Sequence, residues 1–291
     1  MLRVKIVTVS DHAAHANSFG PAAETYERGR PSYPSEALDW LLPAGHRGPS
    51  RQAGTGHRAS TPDAGPPTHP LGGADPRPLR GRAPSRRPRV VDLGAGTGKL
   101  TRQIAARGLP VTAVDPSAGM LAELRRAVPG VTAVQGTAES IPLPADSADV
   151  VLVAQAWHWV DASRAVPAIA GILSPGGRLG LLWNVRDESA DWVRRLGEII
   201  GSENRERSTT IGPPFGPSET ARFRWTEVLG PERLIDMVAS RSRIILLPPD
   251  EKAAVLSEVR RLMATHPDLV GRTEYELPYI TECTRADLPL D

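Results

Sequence analysis

The run Val90-Val91-Asp92-Leu93-Gly94-Ala95-Gly96-Thr97-Gly98, followed by Val111-Thr112-Ala113-Val114-Asp115, decides the fold. A short β-branched run feeding a glycine loop, then an amphipathic helix, is the nucleotide-binding start of a doubly wound α/β sheet. Glycines let the backbone pass close to a ligand, and the N-terminus of the following helix favours a carboxylate or phosphate. Asp115 stands twenty-one residues after Gly94. An acid at the end of the second strand can accept both ribose hydroxyls.

Glycine spacing then selects the nucleotide. A dinucleotide fingerprint G-x-G-x-x-G would need glycine at 99, where the chain has Lys99; the third glycine is Gly98, and Asp92 sits two residues before Gly94. A nearby carboxylate repels a pyrophosphate and attracts a ligand that carries an ammonium and a sulfonium. Here the segment resembles the first motif of the class I S-adenosylmethionine-dependent methyltransferases (methyltransferase type 11), and the resemblance runs to about residue 186.

The resemblance implies a doubly wound, mostly parallel, seven-stranded Rossmann-like sheet with helices on both faces, and S-adenosyl-L-methionine as cofactor. It assigns cofactor contacts to Asp92, Gly94, Ala95, Gly96 and Gly98, with Asp115 on the ribose. Asp115-Pro116-Ser117 with Met120 and Leu121 is similar to the family's second motif, in which the methionine covers the adenosine. Gln135-Gly136-Thr137-Ala138-Glu139 looks like the loop around the adenine, and Gln155 joins the set after the fourth strand. Many relatives carry an acid where this chain has Thr137, so the adenine amino group takes its contact from elsewhere.

Residues 131–134 read as the third strand, and 149–154 as a continuous apolar run suited to a strand buried on both faces. Ser174-Pro175-Gly176-Gly177 is expected to turn into a fifth strand over 178–184. Ala156-Trp157-His158-Trp159 follows the fourth strand, where open α/β sheets place ligands. His158 is the candidate catalytic residue, as general base or substrate orienter, with a packed core histidine as the alternative.

Upstream, Tyr26-Glu27-Arg28-Gly29-Arg30-Pro31-Ser32-Tyr33-Pro34 precedes the helical pattern Ala37, Leu38, Leu41, Leu42. It resembles the N-terminal element of trans-aconitate methyltransferase-like proteins, which folds over the cofactor mouth. Tyr26, Arg30 and Trp157 are the substrate contacts this implies; a helix edge that packs Tyr26 and Tyr33 on the core is the other reading.

Four regions follow: an N-terminal extension and helical lid element (1–44), an insertion (45–88), the cofactor-binding core (89–186), and a segment that completes and covers the sheet (187–291). Residues 1–17 carry no pattern and read as a frayed extension. Of the forty-four residues in 45–88, seventeen are Pro or Gly, with Leu71 and Leu79 the only large apolar side chains. Such a stretch cannot bury enough surface to offset the entropy of ordering it, so it is expected to be disordered and dispensable. It holds eight arginines and two aspartates, so the net charge of +2 leaves the remainder mildly acidic, with no basic face for nucleic acid.

In the last third, 191–200, 231–239 and 250–263 read as helices and 204–217 as loop. Tyr275, Leu277, Tyr279, Thr281 and Cys283 alternate along a late strand, and Pro278 within it implies an edge or bulge. One cysteine forms no intramolecular disulfide. No apolar run approaches the roughly 20 residues of a membrane span, and no signal-peptide pattern opens the chain, so a cytoplasmic monomer or homodimer is expected.

Methyl transfer from a sulfonium is an in-line displacement with a good leaving group, so the protein chiefly holds the acceptor and excludes water. A carboxylate acceptor needs no base; a phenol or amine can need one. No metal-ligand spacing occurs, so no metal-assisted mechanism is expected. The expected activity is methyl transfer to a small molecule, at a carboxylate or hydroxyl oxygen. The alternatives are an NAD(P)-dependent oxidoreductase, against which Lys99 and Asp92 argue, and a non-catalytic cofactor-binding or RNA-associated protein.

Overall fold

A computed structural model describes residues 29–43, 87–201 and 210–290. Tyr26, the extension over 1–17 and residues 45–86 of the insertion lie outside them. Arg87 and Pro88 belong to the fold: Pro88 is buried, and the Arg87 guanidinium donates to the Gly108 carbonyl at 2.7 Å.

In chain order the elements are α1 (Ser35–Leu41), β1 (Val90–Leu93), α2 (Lys99–Ala106), β2 (Val111–Asp115), α3 (Ala118–Ala127), β3 (Thr132–Gln135), β4 (Ala148–Ala154), a short 3-10 turn (Trp157–Trp159), α4 (Ala162–Ile172), β5 (Leu173–Arg186), α5 (Asp191–Ile200), β6 (Glu219–Leu229), α6 (Pro231–Ala239), α7 (Ser242–Ile245), α8 (Pro249–Thr265) and β7 (Tyr275–Asp287). The seven strands form one sheet in the order β3-β2-β1-β4-β5-β7-β6. The first five pair in parallel, and β7 runs antiparallel to both β5 and β6. Strand order reverses between β1 and β4, and the crevice beyond the carboxyl ends there is where such sheets bind ligands.

Strand alternation divides the core. Val151 and Val153 of β4 face α4, against Ala165, Val166, Ile169 and Ile172. Val150 and Leu152 face the other way, onto α1 and α2 through Leu38, Leu41, Leu100 and Ile104. A third cluster joins α5, α6 and α8 to Trp225, Leu229, Tyr275, Leu277 and Tyr279 of β6 and β7. α8, the helix expected over 250–263, turns one apolar face inward, with Val259 and Leu262 buried and Val255, Leu256 and Met263 packed at its rim. Among the described residues no helix is long and apolar enough to cross a membrane.

Two local expectations change. Residues 174–177 do not precede the fifth strand; they bulge inside it, since Ala148 pairs with Leu173 while Val150 pairs with Arg178. β7 is an interior strand, so Pro278 is not on a sheet edge. Its carbonyl accepts from Asp187 N–H at 2.9 Å, one residue past the end of β5. In an antiparallel ladder a residue's N and C=O point to the same neighbour. The donor that proline lacks therefore faces the side where β5 has already ended, and the ladder to β6 loses nothing.

Candidate functional site

The glycine loop leaves β1 at the switch point. Gly94 (φ 74°), Gly96 (φ 55°) and Gly98 (φ 90°) hold left-handed backbone that other residues rarely adopt. At Gly94 and Gly98 a Cβ would also meet Ala156 and Leu124 at 2.7 and 2.8 Å; at Gly96 it would project into open space. The loop thus packs against the fold at its two ends and presents bare backbone between them.

Beneath the loop sit two buried carboxylates. Asp92 has no exposed surface, and its Oδ2 accepts from Thr101 Oγ1 at 2.5 Å, while Oδ1 has no hydrogen-bond partner. Burial raises its pKa to about 7 against the Thr101 bond, and the neighbouring Asp115 charge pushes the same way. Asp115 accepts from Gly96 N–H through Oδ2 and from Ser117 N–H through Oδ1, both at 2.8 Å. Burial raises its pKa too, opposed by those two amides. Asp115 therefore ties the glycine loop to β2.

The rest of the expected adenosine side follows from β2 and β3. Gly136 N–H donates to the Asp115 carbonyl, and Thr137 and Ser140 exchange two backbone bonds, which closes a tight turn. Ala138 packs into the core, and Glu139 accepts from Asp161 N–H at 2.9 Å. Met120 is buried in the first turn of α3, whose N-cap Ser117 accepts from Met120 N–H.

On the β4 side of the loop opens a cleft lined by Asp92, Gly94, Ala95, Gly96, Thr97 and Lys99, and floored by Ala154, Gln155 and Asn184 at the carboxyl ends of β4 and β5. Gln155 holds φ 57° and donates through its side-chain amide to the Asn184 carbonyl at 3.2 Å. A non-glycine residue in this region carries strain of about 1–2 kcal/mol, which places a packed amide at the cleft. The far wall consists of Arg30, Pro31 and Tyr33 from the N-terminal strap, with Met237, Arg241 and Tyr279.

The strap is pinned across this mouth. Tyr33 N–H and C=O both bond the Gln103 side chain, at 3.0 and 2.7 Å. Asn184 Nδ2 donates to the Ser32 carbonyl at 2.9 Å while its Oδ1 accepts from Thr281 Oγ1, which in turn accepts from Trp225 Nε1. At Gly29 a Cβ would lie 2.5 Å from the Asp236 carbonyl, so only glycine lets the strap meet α6. The Arg30 guanidinium reaches the Ser240 carbonyl, at 3.5 Å.

The structure thus brings Arg30, Asp92, Gly94, Ala95, Gly96 and Gln155 to one cleft. It does not bring Trp157 there: that side chain is buried under α4, because the 3-10 turn points it inward, so its reading as a substrate contact is corrected to a core position. His158 is exposed, 4.5 Å from the Trp159 ring and 5.3 Å from the Trp183 ring, and does not line the cleft. Tyr33, Asn184, Met237, Arg241 and Tyr279 were not read from sequence as site residues. Tyr33 lies within the quoted Tyr26–Pro34 element, and Asn184 left a signal of its own, an amide that closes the apolar run Leu181-Leu182-Trp183 at a strand's carboxyl end.

The donor set suits S-adenosylmethionine. An orphaned carboxylate oxygen beside bare glycine backbone answers a cationic ligand, and Asp115 retains lone pairs for vicinal hydroxyls. Among the described residues no group of three or more His, Cys, Asp or Glu is placed to hold a metal ion. Asp115→Ala is expected to weaken S-adenosylmethionine binding by about 10- to 150-fold, the loss of one charge-assisted hydrogen bond, in a calorimetric titration. Equal affinity for the two proteins would remove Asp115 from the site.

Comparison with known proteins gives the same answer. A family model described as a methyltransferase domain matches residues 91–181. An uncharacterized methyltransferase of Mycobacterium tuberculosis (strain H37Rv) is 48% identical over 274 residues, covering 93% of this chain and 96% of that protein. A malonyl-[acyl-carrier protein] O-methyltransferase of Enterobacter lignolyticus is 42% identical over 185 residues, 56% of this chain and 73% of that protein. Among solved structures, one assigned as a type II methyltransferase from Anaeromyxobacter dehalogenans shares the fold, with TM-score 0.59 and 22% identity over 90% of this chain and 98% of that one.

Proposed function

The chain belongs to the class I S-adenosylmethionine-dependent methyltransferases, and from that premise we propose that it methylates a small molecule at oxygen. The observation that carries the small-molecule reading is the roofed cleft: the strap meets α6 at Gly29 and is pinned at Ser32 and Tyr33, so the acceptor side is bounded by buried Tyr33 and Tyr279. The oxygen reading draws on the relative that is a malonyl-[acyl-carrier protein] O-methyltransferase. It also draws on the lining, in which Asp92 is the one acid and histidine is absent among the described residues. With histidine absent from the lining and Asp92 assigned to the cofactor's cationic end, an acceptor that arrives as an anion is favoured.

Bound in this cleft, S-adenosylmethionine would supply an electrophilic methyl group for an anionic acceptor oxygen. Asp92, whose Oδ1 has no hydrogen-bond partner, would hold the cationic end of the cofactor. Gln155 and Asn184 fix the floor of the cleft, and Tyr33 with Tyr279 excludes water from the far side. Positioning of this kind lowers a barrier by roughly 7–11 kcal/mol.

His158→Gln tests the base directly. We expect a kcat change far short of the about 10²–10⁴-fold that a general base supplies, with no titrating limb lost from the rate profile. Loss of a limb near the roughly 6.5 of free imidazole would make His158 the base and the acceptor a hydroxyl. Product analysis by NMR, after a screen with methyl-labelled cofactor, tests the atom methylated; a methyl on nitrogen or carbon would contradict the proposal.

A further inference from the structure

From β6 to the strap runs a buried chain of side-chain hydrogen bonds. Trp225 of β6 donates from Nε1 to Thr281 Oγ1 at 2.9 Å, and Thr281 of β7 donates to Asn184 Oδ1 at 2.6 Å. Asn184 of β5 then donates from Nδ2 to the Ser32 carbonyl of the strap at 2.9 Å. All three side chains are buried, Thr281 with no exposed surface; Asn184 lines the cleft, and Thr281 and Trp225 do not. The register makes the chain possible. Asn184 stands opposite Thr281 across β5 and β7, and Trp225 stands opposite Tyr279 across β6 and β7. The ends of the chain admit a single direction. An indole nitrogen can only donate and a carbonyl oxygen can only accept, so every bond between them points toward the strap.

We infer that Thr281 is a positioning residue: acting through the Asn184 amide, it holds the strap closed over bound cofactor. This rests on the reading of the strap as the roof of the cleft. A primary amide is nearly symmetric in shape, and its two ends differ in polarity. Turned over, Asn184 would set its oxygen against the Ser32 carbonyl, acceptor against acceptor. With Trp225 donating to it, the Thr281 hydroxyl has a proton to give, and Oδ1 is the acceptor that takes it. The amide nitrogen is thereby turned to the strap, in surroundings where an unmade bond is costly. Tyr33 is pinned separately, by the Gln103 side chain of α2.

The test uses the full chain loaded with S-adenosylhomocysteine and reads two quantities. One is the dissociation rate in stopped flow; the other is hydrogen exchange at the Tyr33 amide, which opens with the strap. Thr281→Val keeps the shape and removes the hydroxyl. It should speed release and Tyr33 exchange alike by about 5- to 150-fold, the effect of leaving a buried acceptor unsatisfied. Thr281→Ser should bring both back to within about threefold of wild type. Trp225→Phe keeps an aromatic ring beside Tyr279 and removes the donor, so it should shift both in the same direction; it carries the test if Thr281→Val does not fold. A merely structural role would raise exchange in β1 and β4 as much as at Tyr33, and that result would overturn the inference. So would a valine variant within about twofold of wild type in both readouts, or a serine variant that fails to rescue. Gln103→Ala removes the other pin and separates this inference from the roof itself. If it speeds release and Thr281→Val does not, the roof stands and the role of Thr281 falls. If Tyr33 exchange rises in both and release moves in neither, the strap does not roof the cleft and the inference falls with that reading.

Discussion

Asp92→Asn is expected to stabilise the cofactor-free protein above neutral pH and, in the same molecule, to weaken S-adenosylmethionine binding. Burial raises the carboxyl to about 7 from the ordinary 3.8. A difference of that size corresponds to about 4 kcal/mol between the two protonation states. The folded chain binds the proton more tightly than the unfolded chain, so this stability is complete below pH 4. It falls as pH rises and is lost above about 7. Asparagine removes the charge but leaves an amide at the orphaned Oδ1 position, a penalty of about 1–3 kcal/mol. The net gain is about 1–3 kcal/mol at pH 8, vanishing or reversing at pH 5 where Asp92 is already neutral. Urea denaturation at the two pH values measures it. Equal stability of variant and wild type at both would mean that Asp92 is not a buried acid. A bound cation changes the sign: it partners Oδ1, draws the proton off, and makes cofactor affinity rise with pH up to about 7.

The second large effect lies at the start of the described chain. Leu38 in α1 has no exposed surface and packs with Leu41, Leu152, Leu182 and Cys283 on the sheet face opposite α4. Leu38→Ala should destabilise the protein by about 2–5 kcal/mol, the usual range for a leucine cavity. The melting temperature should fall by about 4–20 °C for a domain of this size. α1 precedes the insertion, yet it is core. An unchanged melting temperature would mean that α1 is an appended flap, and the strap that leads into it would then not roof the cleft.

What the sequence made legible is what local chemistry decides. The glycine loop, the acid at the end of β2 and the alternation of Tyr275, Leu277, Tyr279, Thr281 and Cys283 all need no distant partner to be recognised. Helices α5 and α6 likewise appear at 191–200 and 231–239 as expected, because each carries an apolar face of helical period. Long-range pairing was hidden. Pro278 suggested an edge because nothing in its neighbours reveals that β7 inserts between β5 and β6, with β5 ending one residue short of it. Arg241 carries no local mark, since it reaches the cleft only through the return of β6 and α6 over the carboxyl edge. Trp157 and His158 look alike in sequence, and a single 3-10 turn sends one to the core and the other to solvent.

Calorimetric titration of S-adenosylmethionine, S-adenosylhomocysteine and NADH into the full chain at pH 8 tests the central claim most directly. One equivalent of S-adenosylmethionine should bind, more tightly than NADH, and weaken markedly in Asp115→Ala and Asp92→Asn. Tighter binding of NADH, or S-adenosylmethionine affinity indifferent to both substitutions, would contradict the assignment of this cleft.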